Sequence, residues 1–269
     1  MQAFTPNEPV CCRGIWISDV HLGSAHCKAE QLLQLLNRIE CQHLYLVGDI
    51  IDIWAMTKRV HWPESHTKVL RKLFEIAQGS TEVVYIPGNH DASFREFGGG
   101  NFDNIRVCDS VIYEAITGKR MLVIHGDELD YAVRYSRLNR FVGDAAYELL
   151  MWVDRRVNTI RKLVGLRYWS LAKWVKLNVS QAENAIRAYQ HAAVLLARDK
   201  GFDGIICGHL HYPVIQQFDN VMYCNDGDWV ENCTALLEDY AGNFQLLTGF
   251  DLTPVSLAQD SPKGSMTAS

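Results

Sequence analysis

Five short motifs bring together carboxylate, amide and imidazole side chains: Asp19-Val20-His21, Gly48-Asp49, Gly88-Asn89-His90-Asp91, His125-Gly126-Asp127 and Gly208-His209-Leu210-His211. Carboxylate and imidazole donors suit Mn, Fe, Co or Zn, and no cysteine stands among them to favour a closed thiolate site. Two cations about 4 Å apart need one group that reaches both, and a carboxylate with two oxygens does this. Asp49, alone after its glycine, is the natural bridge. Taken singly, the motifs say little. Asp-x-His is commonly a turn or a helix cap, Gly-Asp carries almost no information, and Gly-Asn-His-Asp makes an ordinary turn. Two histidines one residue apart after a strand can face one pocket. Five such motifs along one chain read together as a two-metal centre. Gly48, Gly88, Gly126 and Gly208 are expected to let the backbone turn sharply and approach the ions closely.

Such residues work only if strand ends bring them together. Residues 14–18, 43–47, 82–86, 121–124, 204–207 and 221–224 are apolar runs rich in Ile, Val and Tyr, each followed within two residues by Gly, Asp, Asn or His. Residues 28–38 and 66–78 carry helical periodicity between the first three. This alternation is the βαβ signature of a parallel or mixed sheet covered by helices, an α/β fold. In open α/β sheets ligands bind at the carboxyl ends of strands, so the motifs converge on one rim. Residues 111–116 and 119–124 read as a hairpin through Thr117-Gly118, and 233–238 and 244–248 as late strands. From 130 to 200 no convincing strand occurs, which marks a helical insertion within a domain spanning 10–250. Ser180 with Glu183 forms a capping box, and Gly201 stops a helix over 181–200. Residues 252–269 read as a disordered tail.

The chain has 269 residues, 48% of them apolar and 21% charged, which excludes bulk disorder. A net charge of −5 excludes a generally basic nucleic-acid-coating protein. Eight cysteines lack CxxC spacing and read as reduced thiols in a reducing compartment. No signal peptide is visible, and no apolar stretch approaches the ~20 residues that span a bilayer. The expected location is cytoplasmic, with any membrane contact made from the side.

With these residues in place, the chain resembles the calcineurin-like metallophosphoesterases, whose pattern is Asp-x-His, Gly-Asp-x-x-Asp, Gly-Asn-His-Asp/Glu, His and Gly-His-x-His. The match covers roughly residues 14–249 outside the insertion. The resemblance implies a two-sheet β-sandwich flanked by helices. It implies Asp19, His21 and His211 on one metal, Asn89, His125 and His209 on the other, and Asp49 on both. The cofactors implied are two divalent ions, Mn first, with Fe, Zn or Co as alternatives. His90 is then no ligand but resembles the general acid that protonates the leaving oxygen. Asp52 completes Gly-Asp-x-x-Asp and holds His90 in its useful tautomer. The plainer reading of Asp52 is a capping or solvent-facing carboxylate. Asp91 and Asp127 are read as outer groups that orient ligand histidines. The reaction implied is in-line attack on phosphorus by hydroxide held between the ions. A scaffold that had abandoned catalysis would be expected to lack ligands, and this chain keeps all seven.

The insertion bears on the substrate. Residues 130–176 hold ten Lys/Arg against four Asp/Glu, a net of +6 in an otherwise acidic chain. Arg155, Arg156, Trp169 and Trp174 lead a set of basic and aromatic residues that suits an anionic amphiphile or an anionic membrane surface. The alternative is a cap whose cations are merely solvated. Length, the Trp54 that follows Gly-Asp-x-x-Asp-x, and the helical lid resemble one branch of the family: the bacterial UDP-2,3-diacylglucosamine pyrophosphohydrolases of lipid A synthesis. That branch cleaves a pyrophosphate to release UMP and a lipid monophosphate, and it implies work at the cytoplasmic face of the inner membrane. Its best-known members carry Arg in place of His90 and Glu in place of Asp52, so this chain resembles a divergent paralogue. Soluble nucleotides, phosphodiesters or phosphoproteins are the alternative substrates. No nucleic-acid or obligate protein partner is expected.

Overall fold

A computed structural model describes residues 9–130, 156–158, 161 and 180–248. Two mixed sheets lie face to face. The first runs β12-β11-β1-β2-β3-β5-β4 and the second β6-β7-β8-β10-β9. In chain order these are β1 (Val10–Ile17), β2 (Ile39–Val47), β3 (Glu82–Ile86), β4 (Asn101–Phe102), β5 (Ile105–Val107), β6 (Val111–Glu114), β7 (Arg120–Val123), β8 (Gly204–Cys207), β9 (Val214–Phe218), β10 (Val221–Asn225), β11 (Thr234–Glu238) and β12 (Phe244–Thr248). Helices α1 (Ala29–Leu36), α2 (Ile53–Lys58), α3 (Glu64–Ala77) and α4 (Ser180–Asp199) join them. The α/β fold expected from the alternating runs, in the two-sheet form that the resemblance implies, is present. Most of the 130–200 lid, including Arg155, Trp169 and Trp174, and the 252–269 tail lie outside the described residues.

The packing explains why the strands read as unbroken apolar runs. The last four residues of β1, β2 and β3 are buried on both faces, as strands between a helix layer and a second sheet must be. One face packs on α1 and α3, whose buried stripes are Ala29, Leu32, Leu35 and Leu36, and His66, Val69, Leu73 and Ala77. The other face meets the second sheet around Trp16, which stacks on Tyr45 at 5.3 Å and takes the edge of Tyr113 at 4.8 Å. Buried Glu238 on β11 ties the sheets together. It accepts hydrogen bonds from the Tyr113 hydroxyl on β6 and, at 3.1 Å, from Arg13 on β1. Helix α4 covers the outer face of the second sheet through Tyr189, Ala193, Val194 and Ala197. It ends where expected: Gly201 has φ +72°, with Gly201 N–H bonded to Arg198 O and Phe202 N–H to Ala197 O.

β1 and β2 extend further back than the apolar runs, because their first halves alternate buried and exposed positions. β4, β5, β9 and α2 were not legible in the sequence. β4 and β5 have two and three residues, and β9 is a polar edge strand containing Gln216 and Gln217.

His66 gives this packing a pH dependence. Its Nδ1 accepts the Gly23 N–H at 3.0 Å, which requires a neutral ring. Burial, with His61 nearby, pushes its pKa down to about 4. The unfolded chain takes up this proton near pH 6.5 and the folded chain only near 4. His66 therefore contributes stability above pH 6.5 that is lost as pH falls towards 4. In urea melts, His66→Gln, which keeps an acceptor without the charge, should match the wild type at pH 7.5. By pH 4.5 it should have lost about 1–3 kcal/mol less than the wild type. Parallel loss in both would exclude His66 as the source.

Candidate metal centre

Parallel strands β1, β2 and β3 of the first sheet and β7 and β8 of the second point their carboxyl ends to one rim. The loops beyond them are locked by backbone bonds. Asp19 N–H bonds to Gly48 O at 3.0 Å, His21 N–H to Asp49 O at 2.9 Å, and Gly208 N–H to His125 O at 3.1 Å. Five motif residues adopt left-handed φ: Asp19 (50°), His21 (54°), Asp49 (53°), His209 (62°) and His211 (52°). Each such non-glycine residue costs about 1–2 kcal/mol and persists only where its surroundings impose it. Gly48 also has positive φ, at 83°. Gly88 does not, so the expected turn is not its reason. A Cβ there would lie 2.7 Å from His125 Nε2 and collide with the Asp49 carboxylate. Glycine at 88 makes room for the site's own side chains.

The side chains gather into three overlapping groups whose ligand atoms lie within 4.8 Å of one another: Asp19, His21 and His211; His21, Asp49 and His90; and Asp49, His125 and His209. Asp49 belongs to two. Its Oδ2 lies 3.5 Å from His125 Nε2, 3.9 Å from His21 Nε2 and 4.0 Å from His90 Nε2. Its Oδ1 accepts the His90 N–H at 2.8 Å. His211 Nε2 lies 3.0 Å from Asp19 Oδ1, and His209 Nε2 3.0 Å from Asp130 Oδ2.

His21 Nε2, His125 Nε2 and Asn89 Oδ1 are buried without a hydrogen-bond partner. An unpaired buried polar atom costs about 1–3 kcal/mol, so three in one pocket mark a place built for something that accepts lone pairs. The far side of each ring agrees. His125 Nδ1 donates to Val47 O at 2.8 Å, and His21 Nδ1 donates to Asp52 Oδ2 at 3.1 Å. Both rings thus carry their Nδ1 proton outward and turn Nε2 inward, the orientation of metal-binding histidines, whose Nε2 gives up its proton to the cation. The donor set fits divalent cations.

The charges agree as well. Burial alone pushes His21 down, but Asp52, Asp49 and Asp19 outweigh it and hold the ring up at about 9. Burial acts on His125 in the same way, and Asp49 lifts it well above its ordinary value. The pocket holds more carboxylate than neutral imidazoles balance, so it favours positive charge.

Asp52 does more than the sequence suggested. Its Oδ1 accepts from His90 Nδ1 at 2.8 Å and its Oδ2 from His21, so one carboxylate orients both rings. It also caps α2, accepting the Ala55 N–H at 2.7 Å. His90 sits nearer solvent, with 21% of its side chain exposed against 1% for His125.

The expectation that Asp91 and Asp127 orient histidines is corrected. Asp91 accepts backbone N–H groups of Gly88 at 2.6 Å and Ile50 at 2.8 Å, together with the Tyr85 hydroxyl. It ties the β2 loop to the β3 loop. Asp127 pairs with Arg95 at 2.7 Å, and Arg95 also reaches Pro87 O at 3.1 Å.

The sequence reading missed the residues after β10. Ser18 Oγ lies 2.6 Å from both Asp19 Oδ2 and Asp226 Oδ1. Its single proton cannot serve both carboxylates. The Ser18 hydroxyl therefore donates to one of the two carboxylates at a time, and burial pushes the Asp226 carboxyl well above the usual range. Asn225 Nδ2 donates to Gly208 O at 2.6 Å, and Asn232 Nδ2 to His211 O at 3.0 Å. The signal was available: a polar run, Asn225-Asp226-Gly227-Asp228, follows an apolar strand as the five motifs do. Of the expected substrate-binding residues, only Arg156 is described, as an exposed helical residue.

The Aeromonas salmonicida protein named UDP-2,3-diacylglucosamine hydrolase is 25% identical over 235 residues, covering 83% of this chain and 88% of its own. The same name belongs to a Porphyromonas gingivalis protein, 29% identical over 126 residues (44% of this chain, 47% of that one). It also belongs to a Blochmanniella floridana protein, 26% identical over 134 residues (48% and 53%). In these last two matches the chain spans about half the length of its relative. A family model described as Calcineurin-like phosphoesterase matches residues 14–213, about three quarters of the chain, and on that match the chain belongs to the calcineurin-like phosphoesterase family.

Proposed function

We propose that the protein is a two-metal phosphoester hydrolase acting on a lipid-linked pyrophosphate of the UDP-diacylglucosamine class. The observation that carries the metal centre is Asp49, shared between two ligand groups beside three unpartnered buried donor atoms. Asp19, His21 and His211 would hold one cation, Asn89, His125 and His209 the other, and Asp49 both. Bound divalent ions, Mn first among them, would supply an activated water nucleophile and neutralise charge on the phosphorus oxygens. His90 keeps its Nδ1 proton on Asp52 and presents Nε2 to the leaving oxygen, where it donates a proton. Asp91 and Arg95 keep the loops that carry Asp49 and His90 from drifting. The substrate class rests on the names of the three relatives.

In this reading the lid over residues 130–200 meets the lipid, with Trp169 and Trp174 against acyl chains and Arg155 and Arg156 against anionic groups, at the cytoplasmic face of the inner membrane. Among the described residues, no helix is long and apolar enough to cross a membrane.

The deciding experiment measures kcat/KM of the Mn-loaded protein on UDP-2,3-diacylglucosamine and on soluble UDP-sugars, cyclic nucleotides and a phosphopeptide. The lipid should lead by at least about tenfold, since each buried methylene is worth ~0.8 kcal/mol. A folded variant with Trp169 and Trp174 changed to Ala should lose that lead yet keep its turnover of a small diester. A soluble substrate that outruns the lipid would replace this reading with the nucleotide or phosphoprotein one.

A further inference from the structure

Helix α2 contributes no fully buried residue to any core. It nevertheless presents Trp54, 44% exposed, at its first turn. An indole is a large apolar group that folding normally hides, and a single exposed one needs no explanation by itself. This one is anchored by the metal centre's own machinery. Asp52 caps α2 through the Ala55 N–H with the same carboxylate that bonds His90 and His21. The Trp54 ring is thereby set 5.1 Å from the His90 ring, edge to face at 65°. The Lys58 ammonium lies 4.8 Å from the centre of the indole, a cation–π contact. An open aromatic ring, a cation upon it and the general-acid candidate at its edge thus form one strip.

We propose that Trp54 and Lys58 form a subsite for the leaving group, and that this group is a ring-bearing anion: a sugar phosphate or a nucleotide. This rests on the reading of His90 as the group that protonates the leaving oxygen, because whatever flanks His90 then flanks the leaving group. The chemistry of the strip selects the class. A flat apolar ring face, of a pyranose or a nucleobase, covers the indole, and an anion beside it meets the ammonium. A purely apolar group would strip water from Lys58 without replacing it. A bare anion would make no use of the indole. The strip also places substrate recognition on a part of the chain separate from the lid.

The test is calorimetric binding to the Mn-loaded full-length protein, with methyl phosphate, glucose 1-phosphate and UMP as probes. At least one ring-bearing monophosphate should bind about tenfold tighter than methyl phosphate, the usual worth of stacking on an aromatic side chain. Trp54→Ala and Lys58→Ala should each erase most of that preference. Neither should change Mn content, Trp54→Ala should leave the affinity for methyl phosphate unchanged, and Trp54→Phe should restore much of the preference. Loss confined to glucose 1-phosphate assigns the subsite to a sugar phosphate, and loss confined to UMP assigns it to a nucleotide. No ring preference in the wild type, or one that survives Trp54→Ala, overturns the proposal. Because binding is read directly, these outcomes stand apart from turnover. Ring-selective binding without hydrolysis would refute the phosphoesterase reading and leave the subsite in place.

Discussion

Asp49→Ala should bind less metal and lose essentially all phosphodiester turnover. Both effects follow from position: its Oδ2 faces the Nε2 atoms of His125, His21 and His90 at 3.5 to 4.0 Å, so one truncation strips both ligand groups. Two cations held there would repel each other unshielded once the shared carboxylate was gone. Charge stabilisation of several kcal/mol is lost, which corresponds to a rate loss of about 10³-fold or more. The Asp49 Oδ1 also accepts the His90 N–H, so Ala removes a loop contact as well. Asp49→Asn separates these roles, since it keeps an acceptor but removes the charge. It should fold like the wild type and still lose metal. Metal content by mass spectrometry and turnover of bis-p-nitrophenyl phosphate read both variants. Full metal occupancy with wild-type turnover in either would exclude a dinuclear centre bridged by Asp49.

The second large effect is at His90. His90→Gln should keep both metals and lower the rate by about 10²–10⁴-fold, the range that general acid catalysis supplies. The loss should shrink for p-nitrophenolate, a leaving group that needs no proton. Asp52 provides the contrast, because its two oxygens hold His90 and His21 separately. Asp52→Asn should therefore lose metal affinity as well as rate, by about 10–100-fold for an outer partner of a ligand histidine. Equal metal content in Asp52→Asn and His90→Gln would show that Asp52 does not support His21. Equal rate losses across leaving groups in His90→Gln would make His90 a positioning group.

Much of the scaffold was legible because two periodicities are local properties. Runs such as 43–47 and 82–86 are apolar on both faces, and that double burial is written residue by residue. Residue types and order sufficed to single out the five motifs, since each stands where a strand stops and polar chemistry begins. What the sequence determined, then, was which strands carry donor atoms at their carboxyl ends. The tertiary structure alone decided how those atoms meet. Left-handed φ at Asp19, His21, Asp49, His209 and His211 is imposed by backbone bonds between loops, such as His21 N–H to Asp49 O, whose partners are far apart in the chain. Asp52 reaches histidines 31 residues before it and 38 after it, and nothing local to Gly-Asp-x-x-Asp indicates the first of these. Asp91 beside His90 looks like a histidine partner in sequence, yet the strand packing turns it onto the N–H groups of a neighbouring loop. The Ser18–Asp226 bond spans 208 residues and exists only because β10 and β1 end at one rim. Hydrogen bonds read distance in space, and only the closing of two sheets into a sandwich converts sequence order into those distances.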